Sequence, residues 1–543
     1  WNGAWQDPAF YQLACIACIQ KDYSLALEHI ERSIVRNYHN MKARNLKAAL
    51  LRKLGRYQEA QKWLEQGFAI DILDLTGRYE MQFLQEEMGI EGDDWAKKAD
   101  EILAGNSQTY LETAIDYLEA GMTEEVEAIL LRAKGLHSNS REVYPLIHYY
   151  LAYCSLQKGE TEKAEQRIQA GEQADSGTCF PHRLEDIQVL EAVQAQSEET
   201  PMAAYYLGNL WYDKKQYENA VKCWEKTAAQ KPQFPTAHRN LALAYYNKQK
   251  NPQAALRELE LAYELDQKDS RVLMELDQLY KKTGKTPRER LDFLELHKEV
   301  VLDRDDLTVE YVTLLNLTGQ YQTALALMEG RNFHPWEGGE GKIPKQYVTA
   351  LIQLAKEGMK KGDLEEAEKL LLAAAGPYPW NLGEGKLQGA QENHIYYYLG
   401  LVYERMGEQQ KAKDCYEKAS TGISEPVGAM YYNDQPPEMI YYQGVSLLRL
   451  GREEEARSRF HKLEEYGEKH LFDKPVIDYF AVSLPDLLIF DEDLELKNKI
   501  HCLFMLALGC LGLGKKKEAE TYFSQVLEME KCHQGARDIP EKI

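Results

Sequence analysis

The chain has 543 residues, with 65 Lys plus Arg against 87 Asp plus Glu and a formal net charge of −22 at pH 7. So acidic a chain has no general attraction for a phosphate backbone, which argues against nucleic acid as a partner. Its hydrophobic fraction of 44% is enough to bury a core and too high for a disordered chain, yet no apolar run of ~18 residues is present to span a membrane.

The opening WNGAWQDPAF has neither the basic start nor the apolar stretch of a secretory signal. It also lacks an initiator Met, so the chain reads as a mature fragment or the rear part of a longer protein. Nine Cys, an odd number scattered along the length, point to free thiols in a reducing, cytoplasmic setting. Cys15 and Cys18 form a lone C-x-x-C. Zinc needs a second pair or two histidines, so buried packing inside the first helix is the expectation. Neither H-E-x-x-H nor G-x-S-x-G occurs, and the carboxylates fall in exposed runs such as Glu453-Glu454-Glu455. No catalytic residue, metal or cofactor is therefore assigned.

Small and large residues recur in one frame from the start. It runs through Ala14, Tyr23 and Ala26, then Ala48, Gly55 and Ala60, then Ala152, Gly159 and Ala164. The clearest unit begins at Pro201. With Pro201 as position 1, Leu207 and Gly208 are 7 and 8, Trp211 is 11, Tyr217 is 17, Ala220 is 20, Trp224 is 24 and Pro232 is 32. The next unit begins 34 residues on, at Pro235, with Leu241, Ala242 and Tyr245 in the same places. The frame returns at Gly319 and Ala324, Gly362 and Ala367, Gly400 and Ala412, Gly444 and Ala456, and Ala507 and Ala519. Roughly a dozen helix pairs follow from the period. Small residues at 8 and 20 let two antiparallel helices approach, large ones at 7, 11, 17 and 24 fill the space around them, and neighbouring pairs share a core.

A 34-residue helix–turn–helix period with these residues resembles the tetratricopeptide repeat family over most of the chain. The resemblance implies an all-α, right-handed superhelical solenoid of stacked helix pairs. Its regularity suggests four stretches: N-terminal repeats over 1–200, regular repeats over 201–330, repeats with two Trp/Gly-rich loops over 331–464, and an irregular insertion with a capping repeat over 465–543. The register breaks near 88–108, 172–200, 330–346, 376–392, 420–437 and 465–498. The first two breaks are expected to hold extra helices or loops. The last carries LPDLLIFDEDLEL, a hydrophobic–acidic stretch read as an irregular insertion.

Two of these breaks are related. One reads Phe333-His334-Pro335-Trp336-Glu337-Gly338-Gly339-Glu340-Gly341-Lys342, and the other Tyr378-Pro379-Trp380-Asn381-Leu382-Gly383-Glu384-Gly385-Lys386. The two Trp are 44 residues apart. His334, Trp336, Glu337, Glu340 and Lys342 from the first, with Trp380, Asn381, Glu384 and Lys386 from the second, form a candidate binding site. An indole face suits a sugar ring, a cation or a partner side chain. The plainer reading is that each Trp plugs the core between repeats. Neither loop binds nucleotide, because Ile343 and Leu387 follow the lysines where Ser or Thr is required.

HPWEGGEGK followed by YPWNLGEGK also resembles the C-terminal repeat region of a family of large bacterial proteins. In that family a β-rich domain of uncharacterised function, similar to sugar-active enzyme domains, precedes the repeats. The resemblance implies a scaffold that supports such a domain. It leaves open a part for Glu337, Glu340 or Glu384 in a shared glycoside-processing site, or a free-standing peptide-binding regulator.

The 35 Tyr exceed the usual share, and many are tandem. By resemblance, position 5 of a first helix faces the groove, which makes Tyr205, Tyr397 and Tyr441 candidate groove residues. Asn209 stands where a carboxylate-clamp Asn stands in relatives that hold chaperone tails. Tyr205 replaces the clamp Lys and Leu243 a further Asn, which argues against that ligand. The sequence thus reads as a non-catalytic scaffold whose partner is a neighbouring domain or a peptide, with self-association left open.

Overall fold

The computed structural model describes residues 3–90, 94–336, 338–387, 389–428, 434–476 and 488–539. Among them lie 29 α-helices, three short 3-10 turns and no strand, so the chain is an all-α solenoid of helical repeats. It forms two compact units, residues 1–237 and 238–543. The boundary falls inside the most regular run of repeats. No helix among the described residues is long and apolar enough to cross a membrane.

Position in the pair decides what a helix buries. The first helix Pro145–Gln157 is buried almost all round, from Pro145 to Ser155. Its pair mate and the following helices both press on it. The second helix Tyr217–Gln230 buries only Ala220, Val221, Trp224 and Thr227, one face of the cylinder. First helices of successive pairs pack on one another in the second unit. Start signals match the ends: Pro201, Pro252, Pro287 and Pro437 open helices, while Asp22, Asn40, Asp74 and Asp363 accept a hydrogen bond from a first-turn N–H. Within a pair the chain reverses through one left-handed residue. Gly407 sits at φ 81° in such a turn, and Lys215 accepts the same strained geometry at 60°.

The small residue at position 8 turns out to serve a ring. A Cβ on Gly208 would come within 2.6 Å of the Trp224 indole, one on Gly400 within 2.4 Å of the Tyr416 ring, and one on Gly444 within 2.3 Å of the Phe460 ring. Position 24 therefore lays its aromatic face on the bare backbone at position 8. The Tyr excess also has a structural cause. Buried phenols donate to carboxylates on neighbouring helices: Tyr79 and Tyr110 to Asp100, Tyr150 to Asp186, Tyr311 to Glu295, Tyr416 to Glu404. Each pairing satisfies a hydroxyl that burial would otherwise orphan.

The first two register breaks hold extra helices, Trp95–Leu103 and Leu184–Gln196. All nine cysteines are free, and Cys15 and Cys18 are buried in the first helix, where burial pushes each thiol up to about 12. In the last break, 477–487 lie outside the described residues, and 488–493 run without helix up to Leu494–Gly512.

Candidate functional site

The two Trp-containing loops meet. The Phe333 N–H donates to the Asn381 carbonyl at 2.8 Å. The Asn381 side-chain amide donates to the carbonyls of Met328 and Arg331, each at 2.8 Å, at the end of helix Tyr321–Glu329. Glu384 Oε2 accepts the Gly341 N–H at 2.8 Å. Gly383, at φ 79°, lies so close that a Cβ would sit 2.5 Å from the Phe333 carbonyl oxygen. One double loop results, closed at three points.

Neighbouring helices brace it. Asp305, in the first turn of helix Asp305–Leu317, takes Arg331 through Nε and Nη2 at 3.0 and 2.6 Å. It also takes the His334 backbone N–H at 2.9 Å, and His334 Nδ1 lies 3.0 Å from it. Burial works against the Asp305 charge, but these donors outweigh it and lower its pKa. Lys386 donates to the Ala374 and Ala375 carbonyls at 3.1 and 2.8 Å and to Glu392 at 2.5 Å, capping helix Leu364–Ala375. Asn381, Glu384 and Lys386 are thus positioned as braces. Glu340 and Lys342 are exposed, and Glu337 lies outside the described residues.

The two indoles differ in kind. Trp336 is half-buried, packed against the core with Gly339 beneath its ring. Trp380 opens the 3-10 turn Trp380–Leu382 and stands 82% exposed, near Leu387 in sequence, which is exposed as well. The sequence presents the two as equivalents, whereas the structure exposes the Trp380 ring and half-buries that of Trp336.

The groove residues are placed differently. Tyr205, Tyr397 and Tyr441 are buried. Tyr205 packs edge-on to Phe234 at 4.9 Å, Tyr397 lies 5.6 Å from Tyr442, and Tyr441 lies 6.0 Å from Phe460. Asn209 is half-buried and accepts the Trp224 indole N–H at 3.1 Å. These contacts tie all four into helix packing.

A cavity of about 430 Å³ opens within the second unit, lined among others by Lys281, Lys345, Glu310, Glu438, His501 and His533. Its charges are mixed. Burial opposes the charge of Glu310, and Lys281 with Arg290 outweighs it, holding the carboxyl below its ordinary range. Burial keeps His501 and His533 below theirs. No group of three metal-ligating side chains occurs among the described residues.

One further arrangement escaped the sequence. Residues 488–493 lie against helix Pro235–Asn247, with Phe490 2% exposed. The hydrophobic–acidic composition of the stretch was visible, but no local pattern names a receptor 242 residues away.

Family models described as tetratricopeptide repeat match residues 11–68 and 394–421, and one described as TPR repeat matches 208–249. Similar solved structures include the P58(IPK) TPR domain, at 11% identity over 85% of this chain and 94% of that one, TM-score 0.24. A tetratricopeptide repeat protein from Parabacteroides merdae is 14% identical over 55% and 98%, TM-score 0.24. YrrB, a TPR protein with an unusual peptide-binding site, is 14% identical over 45% and 95%, TM-score 0.17.

Proposed function

Because the chain belongs to the tetratricopeptide repeat family, we propose that it is a non-catalytic protein-interaction scaffold whose docking point is the double loop around Trp380. The observation that carries this reading is the exposed Trp380 indole on a platform fixed by Asn381 and Glu384. An indole held in water contributes little to folding. On a rigid base it loses little entropy when a partner pocket closes over it, which is the character of an interface hot spot. The partner is a folded domain, and the likeness to large bacterial proteins makes the β-rich domain of such a protein its best candidate. Free cysteines support a reducing, cytoplasmic setting. A shared sugar-processing site has less support, because Glu384 is engaged in holding the Gly341 N–H.

The test is to read the frame upstream of Trp1 and, where it continues into a β-rich domain, to titrate that domain calorimetrically against the wild-type chain and Trp380→Ala; a frame without such a domain overturns the partner. The variant is expected to bind at least ~30-fold more weakly, the loss of a hot-spot residue. Equal affinity overturns the docking point, and no binding by the wild type overturns the partner.

A further inference from the structure

The stretch 488–493 is held in the manner of a bound peptide. The Asn247 side-chain amide straddles Phe490. Its Nδ2 donates to the Ile489 carbonyl at 2.9 Å, and its Oδ1 accepts the Asp491 N–H at 2.9 Å. A non-helical segment in an all-helical array has no ladder of its own to satisfy these groups, and one amide supplies both partners. Between the two bonds the Phe490 ring is buried, edge-on to Tyr246 with centroids 5.0 Å apart. Beyond it the acidic run meets cations. Asp491 Oδ2 lies 3.1 Å from Lys250 Nζ, and Lys282 Nζ donates to the Asp491 carbonyl at 3.4 Å. Burial lowers the Lys282 pKa, and Glu492 and Asp491 oppose that shift.

Three kinds of recognition thus coincide at the C-terminal ends of two first helices, Pro235–Asn247 and Ser270–Lys282: backbone capture, an aromatic pocket and a basic rim. They read one residue of shape and a sign of charge, and little else of the segment. We propose that Tyr246, Asn247, Lys250 and Lys282 form a peptide-binding site for a partner segment in which a Phe is followed by acidic residues, and that residues 489–493 occupy it in cis as a resident competitor. Tethering gives the resident a high effective concentration, so a partner of the same chemistry binds only in proportion to the time the site stands empty. The site is separate from the Trp380 loops, and its test leaves them untouched.

The probe is a fluorescein-labelled peptide LIFDEDLE, the sequence of residues 488–495, titrated by fluorescence anisotropy into the full chain. The double variant Phe490→Ala/Asp491→Ala weakens the resident segment and is expected to bind the probe at least ~tenfold more tightly than the wild type. Adding Asn247→Ala to that background is expected to remove the gain. The peptide LIADEDLE is expected to bind no better than background, and 0.5 M salt to weaken LIFDEDLE through the rim charges. Equal probe binding by the wild type and the double variant overturns the proposal. So does equal binding of the two peptides, or indifference to Asn247→Ala. Should circular dichroism show that the double variant does not fold, Asp491→Ala alone carries the same comparison: tighter probe binding than wild type supports the site, and no gain overturns it.

Discussion

At Gly208 the absence of one carbon decides whether two helices can pair. A methyl there would meet the Trp224 indole at 2.6 Å, a ring already held by its bond to Asn209. Gly208→Ala is therefore expected to destabilise by ~1–3 kcal/mol, the range for overpacking a close contact. Gly135 is the control. It ends helix Thr123–Gly135, is exposed, and has nothing within 4 Å of the place a methyl would take. Gly135→Ala is expected to be neutral or to gain up to ~1 kcal/mol from helix propensity. Urea midpoints of the two variants check both expectations. Both members of the glycine–aromatic pair could be read in the sequence at positions 8 and 24. Their direct contact could not, since a repeat pattern records which sizes recur and not which atoms touch. The same limit applies to Trp336 and Trp380. Similar neighbours in sequence gave no sign that one ring faces the core and the other water.

The double loop is an element in its own right, and its parts separate stability from binding. Asn381→Ala leaves the Met328 and Arg331 carbonyls without their donor. A loss of ~1–3 kcal/mol is expected for such unsatisfied groups, confined to the loops. Hydrogen exchange should report it as faster exchange of the Phe333 N–H, which bonds to the Asn381 carbonyl. Trp380→Ala should leave that exchange unchanged and act only on docking, since an exposed side chain changes stability by within about 0.5 kcal/mol. Helix pairs, turns and start signals were legible because each is written within one period of the chain. The closure between loops was not, because Gly341 and Glu384 are 43 residues apart and their bond depends on how the intervening pair folds. The docking of residues 488–493 is the extreme of the same case.

At the scale of the whole molecule, acid should withdraw the stability that one buried charge cluster contributes. Glu127 in the first unit accepts from Lys158, Lys163 and Arg167. Burial opposes its charge, but these three donors win and lower its pKa from an ordinary 4.5 to about 2. A depressed carboxyl contributes stability fully above its unfolded value. That contribution disappears as pH falls from about 4.5 towards 2, because there the unfolded chain binds the extra proton. Thermal melts between pH 6 and pH 3 should show a falling midpoint, with a shallower fall in Glu127→Gln.

The second unit also joins its own beginning to its end. Asn247 holds Ile489, Arg290 reaches the Cys532 sulfur at 3.3 Å, and Gln346 meets Gln534 at 3.2 Å. An open array tolerates gain or loss of a repeat, because each pair touches only its neighbours. Here the count is fixed. Removing one helix pair from the middle would displace the last first-helix by roughly the 8–10 Å that separates packed helices, and Phe490 would miss its pocket. Repeats in this unit can change in sequence but not in number, as the staves of a barrel can be replaced but not removed.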